Sequence, residues 1–272
     1  MRNAECGMRN CRRVTVITGA TSGIGLATAE RFAAEGDTVY CLARREAKLP
    51  EGVRFISADV TDETRVNEAV REIAAEAGRI DVLVNNAGFG ISGAVEFTEL
   101  EDAKRQFDVN FFGMVNMTKA VLPFMRERGE GFILNTSSVA AVTPIPYQTY
   151  YSASKAAINN YTMALANEVR SFGIRAAALM PGDVKTGFTQ ARAKSLKGAE
   201  IYTSLEKSVR TMEHDEENGM SPAILAKRAY YISTRKRPKP LYSCGLAYEL
   251  FCVLAKLLPN RFVNFILGKL YG

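Results

Sequence analysis

Short apolar runs rich in β-branched residues recur along the chain at 14–18, 38–42, 53–57, 81–85, 132–136 and 174–179. Runs that are apolar at consecutive positions suit strands buried on both faces. Between them lie segments with helical spacing, clearest at 63–77, where Val66, Val70, Ile73 and Ala74 share one face. Residues 26–35 read as a helix closed by Gly36. Strands alternating with helices predict a parallel sheet covered on both sides, a doubly wound α/β fold. Residues 183–218 carry no strand pattern, and His214, in the acidic stretch 213–217, is expected in a solvated loop. Ser221 and Pro222 suit the N-cap and first position of a helix. The basic turn 235–240 then leads into a short last strand at 241–242. Beyond it, 246–258 and 261–271 are apolar segments split by Pro259, each too short to span a bilayer.

A chain of 272 residues, 47% hydrophobic and 24% charged, can bury one substantial core. No repeat or low-complexity linker divides it. The expected organisation is a loose tail over 1–13, a single domain over 14–242 and a C-terminal helical extension over 243–272. The tail lacks the apolar stretch of a secretory signal. Five cysteines at irregular spacing, no CxxC pair and one histidine provide neither a disulfide framework nor a metal site. Reduced thiols in a cytoplasm are the expectation. The net charge of +6 is unevenly placed: residues 219–272 hold nine Lys/Arg against the single acid Glu249. A basic, apolar end thus follows a slightly acidic body.

The first strand is joined to the first helix by Thr18-Gly19-Ala20-Thr21-Ser22-Gly23-Ile24-Gly25. Glycines at 19, 23 and 25 let the backbone turn tightly and approach a pyrophosphate, with a helix N-terminus aimed at the anion. The spacing Thr-Gly-x3-Gly-x-Gly resembles the short-chain dehydrogenase/reductase family, in its non-extended branch. The resemblance implies a Rossmann-type domain with Gly19, Thr21, Ser22, Gly23, Ile24 and Gly25 against a dinucleotide. At the end of the second strand Ala43 stands where an NAD enzyme carries its acid, and Arg44 and Arg45 follow. Two guanidinium forks match a ribose 2′-phosphate, which favours NADP(H) over NAD(H). The family's other phosphate-binding position, just before Gly23, is Ser22, so only half of that signature is present. Asp59-Val60 resembles the family's adenine contact, and Asn85-Asn86-Ala87-Gly88 matches its strand-end motif, placing Asn86, Ala87 and Gly88 beside the cofactor. Asn85 is expected to brace the sheet.

Tyr151 and Lys155 stand four apart, one helical turn, on a common face. Interconverting an alcohol and a carbonyl requires a proton to move at the substrate oxygen. A phenol, with an ordinary pKa of ~10, is a poor base at neutral pH. A neighbouring ammonium favours the phenolate. In the family this chain resembles, the matching residues would be Ser138 orienting the oxygen, Tyr151 as acid or base, and Lys155 on the nicotinamide ribose. Asn110 would hold a water in a proton relay. Pro181, Gly182, Val184 and Thr186 match the motif that contacts the nicotinamide carboxamide. Tyr147 and Tyr150 are expected in the pocket wall, Ser137 in packing, and Phe188, Ile201, Tyr202 and Leu205 in the substrate lining.

The resemblance implies hydride transfer between NADP(H) and an alcohol or ketone/aldehyde. Residues 110–188 and the basic extension are similar to the 17β-hydroxysteroid and retinol dehydrogenase group. An apolar small molecule of steroid, retinoid or lipid-like character is therefore the expected substrate. The extension would cover the pocket or form a subunit interface, lie on an anionic membrane surface, or merely pack on the core. A homodimer or homotetramer built on the helices carrying Asn110 and Tyr151 is implied, cytoplasmic or peripheral at a membrane. A sugar-nucleotide epimerase usually has Gly-x2-Gly-x2-Gly and a longer chain, and enoyl reductases space the tyrosine and lysine more widely. The remaining alternative is a catalytically silent NADP-binding regulator or scaffold of the same fold. No motif or aromatic platform supports a nucleic-acid partner.

Overall fold

The computed structural model describes residues 12–271. Most of the tail expected over 1–13 lies outside these residues, together with Cys6 and Cys11. Arg13 is not loose, however. It pairs with Asp37, donates to Ser233 Oγ at 3.1 Å and lies over the rings of Phe32 and Tyr230.

In chain order, β1 (Val14–Thr18), α1 (Gly23–Ala34), β2 (Thr38–Ala43), β3 (Val53–Ser57), α2 (Glu63–Ala77) and β4 (Val82–Asn85) form the first half. A two-residue strand β5 (Ile91–Ser92) precedes α3 (Leu100–Phe107), a π-helical turn at Asp108–Phe112 and α4 (Gly113–Arg128). Then come β6 (Gly131–Thr136), α5 (Thr149–Glu168), β7 (Ile174–Pro181), α6 (Phe188–Ala191) and β8 (Ala193–Lys194). The chain ends in α7 (Leu205–Glu217), α8 (Pro222–Ser233), β9 (Leu241–Cys244), α9 (Leu246–Leu257) and α10 (Asn260–Tyr271). The main sheet has the order β3-β2-β1-β4-β6-β7-β9, every pairing parallel. The chain therefore forms the doubly wound α/β fold expected.

Strand alternation divides the core in two. Val14, Val16, Tyr40, Leu42, Leu83 and Ile133 face α2, α4 and α5. Ile17, Val39, Cys41, Val84, Phe132, Leu134 and Leu179 face α1 and α8. The order reverses between β1 and β4, so their carboxyl ends open a crevice where such sheets bind ligands.

The helix expected over 26–35 begins at Gly23, because Gly23 and Gly25 lie inside the first turn rather than before it. The last strand runs to Cys244, two residues past its expected end. His214 is exposed but helical, a correction to the loop reading. Leu205, Ser208, Val209 and Met212 form the buried stripe that holds α7 to the body. The expectation of no strand over 183–218 also fails, at β8, which pairs with β5. Two exposed residues carry no period from which to read it. No helix among the described residues is long and apolar enough to cross a membrane.

Candidate active site

A cleft of about 1600 Å³ opens at the carboxyl ends of the central strands. Its nucleotide end is a glycine loop stitched to the end of β4. Thr18 Oγ1 accepts from the amides of Asn86 and Ala87, both at 3.0 Å, and Asn86 Nδ2 donates to the carbonyls of Thr18 and Gly19. A Cβ on Gly25 would stand 2.3 Å from the Gly19 carbonyl and 2.5 Å from Asn86 Nδ2, so only glycine permits this approach. Gly19 itself has φ +65°. Ser22 caps α1 without a side-chain hydrogen bond. The first-turn amides beside Gly23 and Ile24 are thus not capped by a side chain, and they lie where an anion would be held.

Arg44 and Arg45 line the same cleft beyond Ala43, and Arg44 Nε stands 4.0 Å from Asp59 Oδ2. Asp59 Oδ1 accepts from the amide and hydroxyl of Thr61, leaving Oδ2 toward Arg44. Val60 packs so close to α4 that a Cβ on Gly113 would approach it to 2.5 Å. Asn85 is buried in hydrogen bonds to Thr118 and Asn135, bracing the sheet as expected. These groups fit a dinucleotide: a cradle a Cβ would fill, uncapped helix amides and two cations at its ribose end.

At the opposite end Tyr151 and Lys155 rise from α5, with Lys155 Nζ 5.6 Å from the Tyr151 ring centre and donating to the Thr136 carbonyl at 2.8 Å. Ser138 follows β6, accepts from the Ala140 amide and faces the Tyr151 hydroxyl closely enough to lower its pKa. Burial pushes Tyr151 up to about 12 against the opposing pull of Ser138, and Glu216 and Asp183 push the same way. Burial also lowers Lys155 to about 8. The expectation that the ammonium brings the phenol down is reversed here, because desolvation outweighs it. Tyr151 therefore carries its proton at neutral pH.

Of the sequence-selected residues, Gly19, Thr21, Ser22, Gly23, Ile24, Arg44, Arg45, Asp59, Val60, Asn86, Ala87, Gly88, Ser138, Tyr151, Lys155, Pro181, Gly182, Val184 and Thr186 share this one cleft. Gly25 and Asn110 lie behind its wall. Asn110 is buried in the π-helical turn, accepting from the Phe89 amide and donating to the Phe89 carbonyl and to Ser154 Oγ. It fixes the loop that follows Gly88. Ser137 donates to the Lys155 carbonyl, a packing role as expected. Tyr147 and Tyr150 do not line the cleft: Tyr147 shares a hydrogen bond with Ser204 and meets Tyr202 edge-on. Phe188 does line it, 5.9 Å from the Tyr151 ring. Ile201 is exposed, Tyr202 donates to Glu96, and Leu205 is buried in the base of α7.

Sequence reasoning missed the residues that replace them. Ala247, Tyr248, Phe251, Leu267, Leu270 and Tyr271, from α9 and α10, close the cleft over the chemical end. Tyr248 donates to Asp183 and lies against Gly182, where an added Cβ would meet its ring at 2.2 Å. Arg192, fully buried, pairs with Glu216 and joins the loop over Tyr151 to α7. The apolar spacing after Pro240 was visible, but its target depends on which way the chain turns at Gly245, with φ +101°.

The profile of the short chain dehydrogenase family matches residues 13–197. A 3-ketodihydrosphingosine reductase of Bacteroides thetaiotaomicron is 42% identical over 264 residues, covering 96% of this chain and 98% of that one. An NADPH-dependent 3-dehydrocapnine reductase of Ornithobacterium rhinotracheale is 30% identical, covering 94% and 96%. Among solved structures, a short-chain dehydrogenase from Streptomyces avermitilis superposes with a TM-score of 0.82 at 32% identity, covering 92% of this chain and 96% of that one.

Proposed function

Because this chain belongs to the short-chain dehydrogenase family, we propose that it is an NADPH-dependent reductase of an apolar, lipid-like ketone. The observation that carries the reading is the single cleft holding the glycine cradle at one end and Ser138, Tyr151 and Lys155 at the other. When bound, NADPH supplies the hydride that reduces the carbonyl carbon. The protein's own groups handle the oxygen. Ser138 donates a hydrogen bond that fixes it, and Tyr151, whose raised pKa keeps it protonated, gives it a proton. Lys155 holds the Thr136 carbonyl and presents its ammonium below Tyr151, while Asn110 pins the Phe89 backbone beside it. The protonated tyrosine is the form that reduction uses, and relatives are named as reductases.

Arg44 and Arg45, with no acid at Ala43, support NADPH as the reductant, and one relative is named as NADPH-dependent. The substrate end is walled by Phe188, Phe251, Leu267 and Leu270, which suits an alkyl chain better than a sugar. A long-chain 2-amino-3-ketone, the chemistry named in the 42%-identical relative, is the favoured candidate ahead of a steroid or retinoid. The proposal includes a homodimer or homotetramer and peripheral contact with a membrane through α9 and α10. The test is cofactor oxidation with NADPH or NADH against a long-chain aminoketone, a steroid ketone, retinal and a small polar ketone. Turnover of the long-chain ketone with NADPH preferred supports the reading. Preference for the polar ketone, or for NADH, contradicts its substrate or cofactor part respectively.

A further inference from the structure

Helix α9 is apolar on both sides. Tyr248, Phe251, Cys252 and Ala255 turn inward to the body and the cleft. Leu246, Leu250, Val253, Leu254 and Leu257 recur at helical spacing on the other side and face solvent, Leu246 at 89%, Leu250 at 62% and Leu257 at 76% exposure. Apolar exposure continues past Pro259 with Phe262 and Phe265. A helix apolar all round is ordinarily buried. An outward stripe of this size marks a contact surface.

The charges beside it choose the occupant. Lys256, Arg261 and Lys269 are exposed around the stripe and make no ion pair among the described residues. The extension's single acid, Glu249, is engaged by Arg228. A second copy applied through a two-fold axis would set these unpaired cations against their own images. An anionic lipid surface accepts both components, acyl chains against the leucines and headgroup phosphates against the cations. The same helix that carries the outward stripe lines the cleft with Phe251 from its inner side, so a lipid leaving the bilayer meets the cleft at α9.

We infer that the outward face of α9, with the turn at Pro259 and the start of α10, docks on an anionic bilayer surface and draws a lipid-like ketone directly from it. The delivery part rests on the substrate reading above; the docking part does not. The test is co-sedimentation of the full chain with vesicles of mixed phosphatidylglycerol and phosphatidylcholine, and with phosphatidylcholine alone. The wild-type protein should sediment with the anionic vesicles and prefer them to the neutral ones. Joint replacement Leu250→Ser and Leu257→Ser should weaken binding by roughly tenfold or more, since neither residue lines the cleft or packs in the core. Joint reversal Lys256→Glu and Arg261→Glu should remove the preference for anionic vesicles, on the order of fivefold for each charge removed.

Each variant is also assayed without vesicles on a short water-soluble ketone, where unchanged turnover shows that the fold and the site are intact. Failure of the wild-type protein to sediment with anionic vesicles would overturn the inference. So would leucine variants that bind as tightly as wild type, or that turn a dimer into a monomer by analytical ultracentrifugation. Vesicle binding by a protein that reduces no ketone at all would leave the docking surface standing and sink the reductase reading alone.

Discussion

Lys155 and Tyr151 share one buried wall, yet burial acts on them in opposite senses, lowering the ammonium to about 8 and raising the phenol to about 12. This makes Lys155 costly to the folded protein when no ligand is bound. Between about 8 and its ordinary 10.5 the unfolded chain holds the lysine proton and the folded chain does not. Stability from this group therefore rises with pH across that window, and the cost is fully present below it. Lys155→Met should raise the melting temperature of the ligand-free protein at neutral pH. The gain is at most on the order of 3 kcal/mol, reduced by about 1 kcal/mol for the lost bond to Thr136. The advantage should shrink as pH climbs from 8 to 10.5, measured by thermal unfolding of both proteins across that range. Parallel pH profiles would show that the buried site does not disfavour the charge.

Arg44 gives the second residue-scale expectation. It is largely exposed and only loosely opposed by Asp59, so it is available to a phosphate. Arg44→Glu should lower kcat/KM with NADPH by roughly tenfold or more while sparing or improving NADH, because a carboxylate repels the 2′-phosphate and accepts from a 2′-hydroxyl. Equal losses with the two cofactors would assign Arg44 to general packing.

At the scale of elements, the strands of the main sheet were legible to within a residue or two, since strands buried on both faces read as apolar runs. The glycine loop was legible as a motif, but the work of Gly25 was not. It allows a carbonyl and an amide to approach from Gly19 and Asn86, a contact between elements that local sequence does not encode. Asn110 was legible as a motif residue, but its hold on the Phe89 backbone from the π-helical turn is again a contact between elements that local sequence does not encode. The substrate wall was legible only as an element: the extension was expected over the pocket as one of its roles, but not which of its residues line it. Ile201, Tyr202 and Leu205 were the nearest apolar residues along the chain, whereas Phe251, Leu267 and Leu270 arrive from the far end of it. If α9 forms the wall of an alkyl-chain channel, Phe251→Ala should cut kcat/KM for a long-chain ketone by roughly tenfold, the scale of one large buried side chain. Steady-state kinetics on a short ketone should barely change. Equal losses on the two substrates would place Phe251 in fold maintenance.

For the whole molecule, one sheet sets two chemical ends at one crevice, and the C-terminal helices roof the end where the carbonyl would lie. The basic, apolar extension that stood apart in the sequence thus lines the site on one side and, on the other, exposes the stripe proposed to meet a lipid surface. The first role, in the site, requires that the crevice perform a reduction in which Tyr151 supplies the proton. The most direct test compares Tyr151→Phe with the parent, measuring turnover of a long-chain aminoketone and NADPH affinity on the same preparations. Removing one hydroxyl from an intact wall should lower kcat by about 10²–10⁴-fold and leave NADPH binding within a few-fold of the parent. A variant that keeps the parent's turnover would contradict the account at its centre.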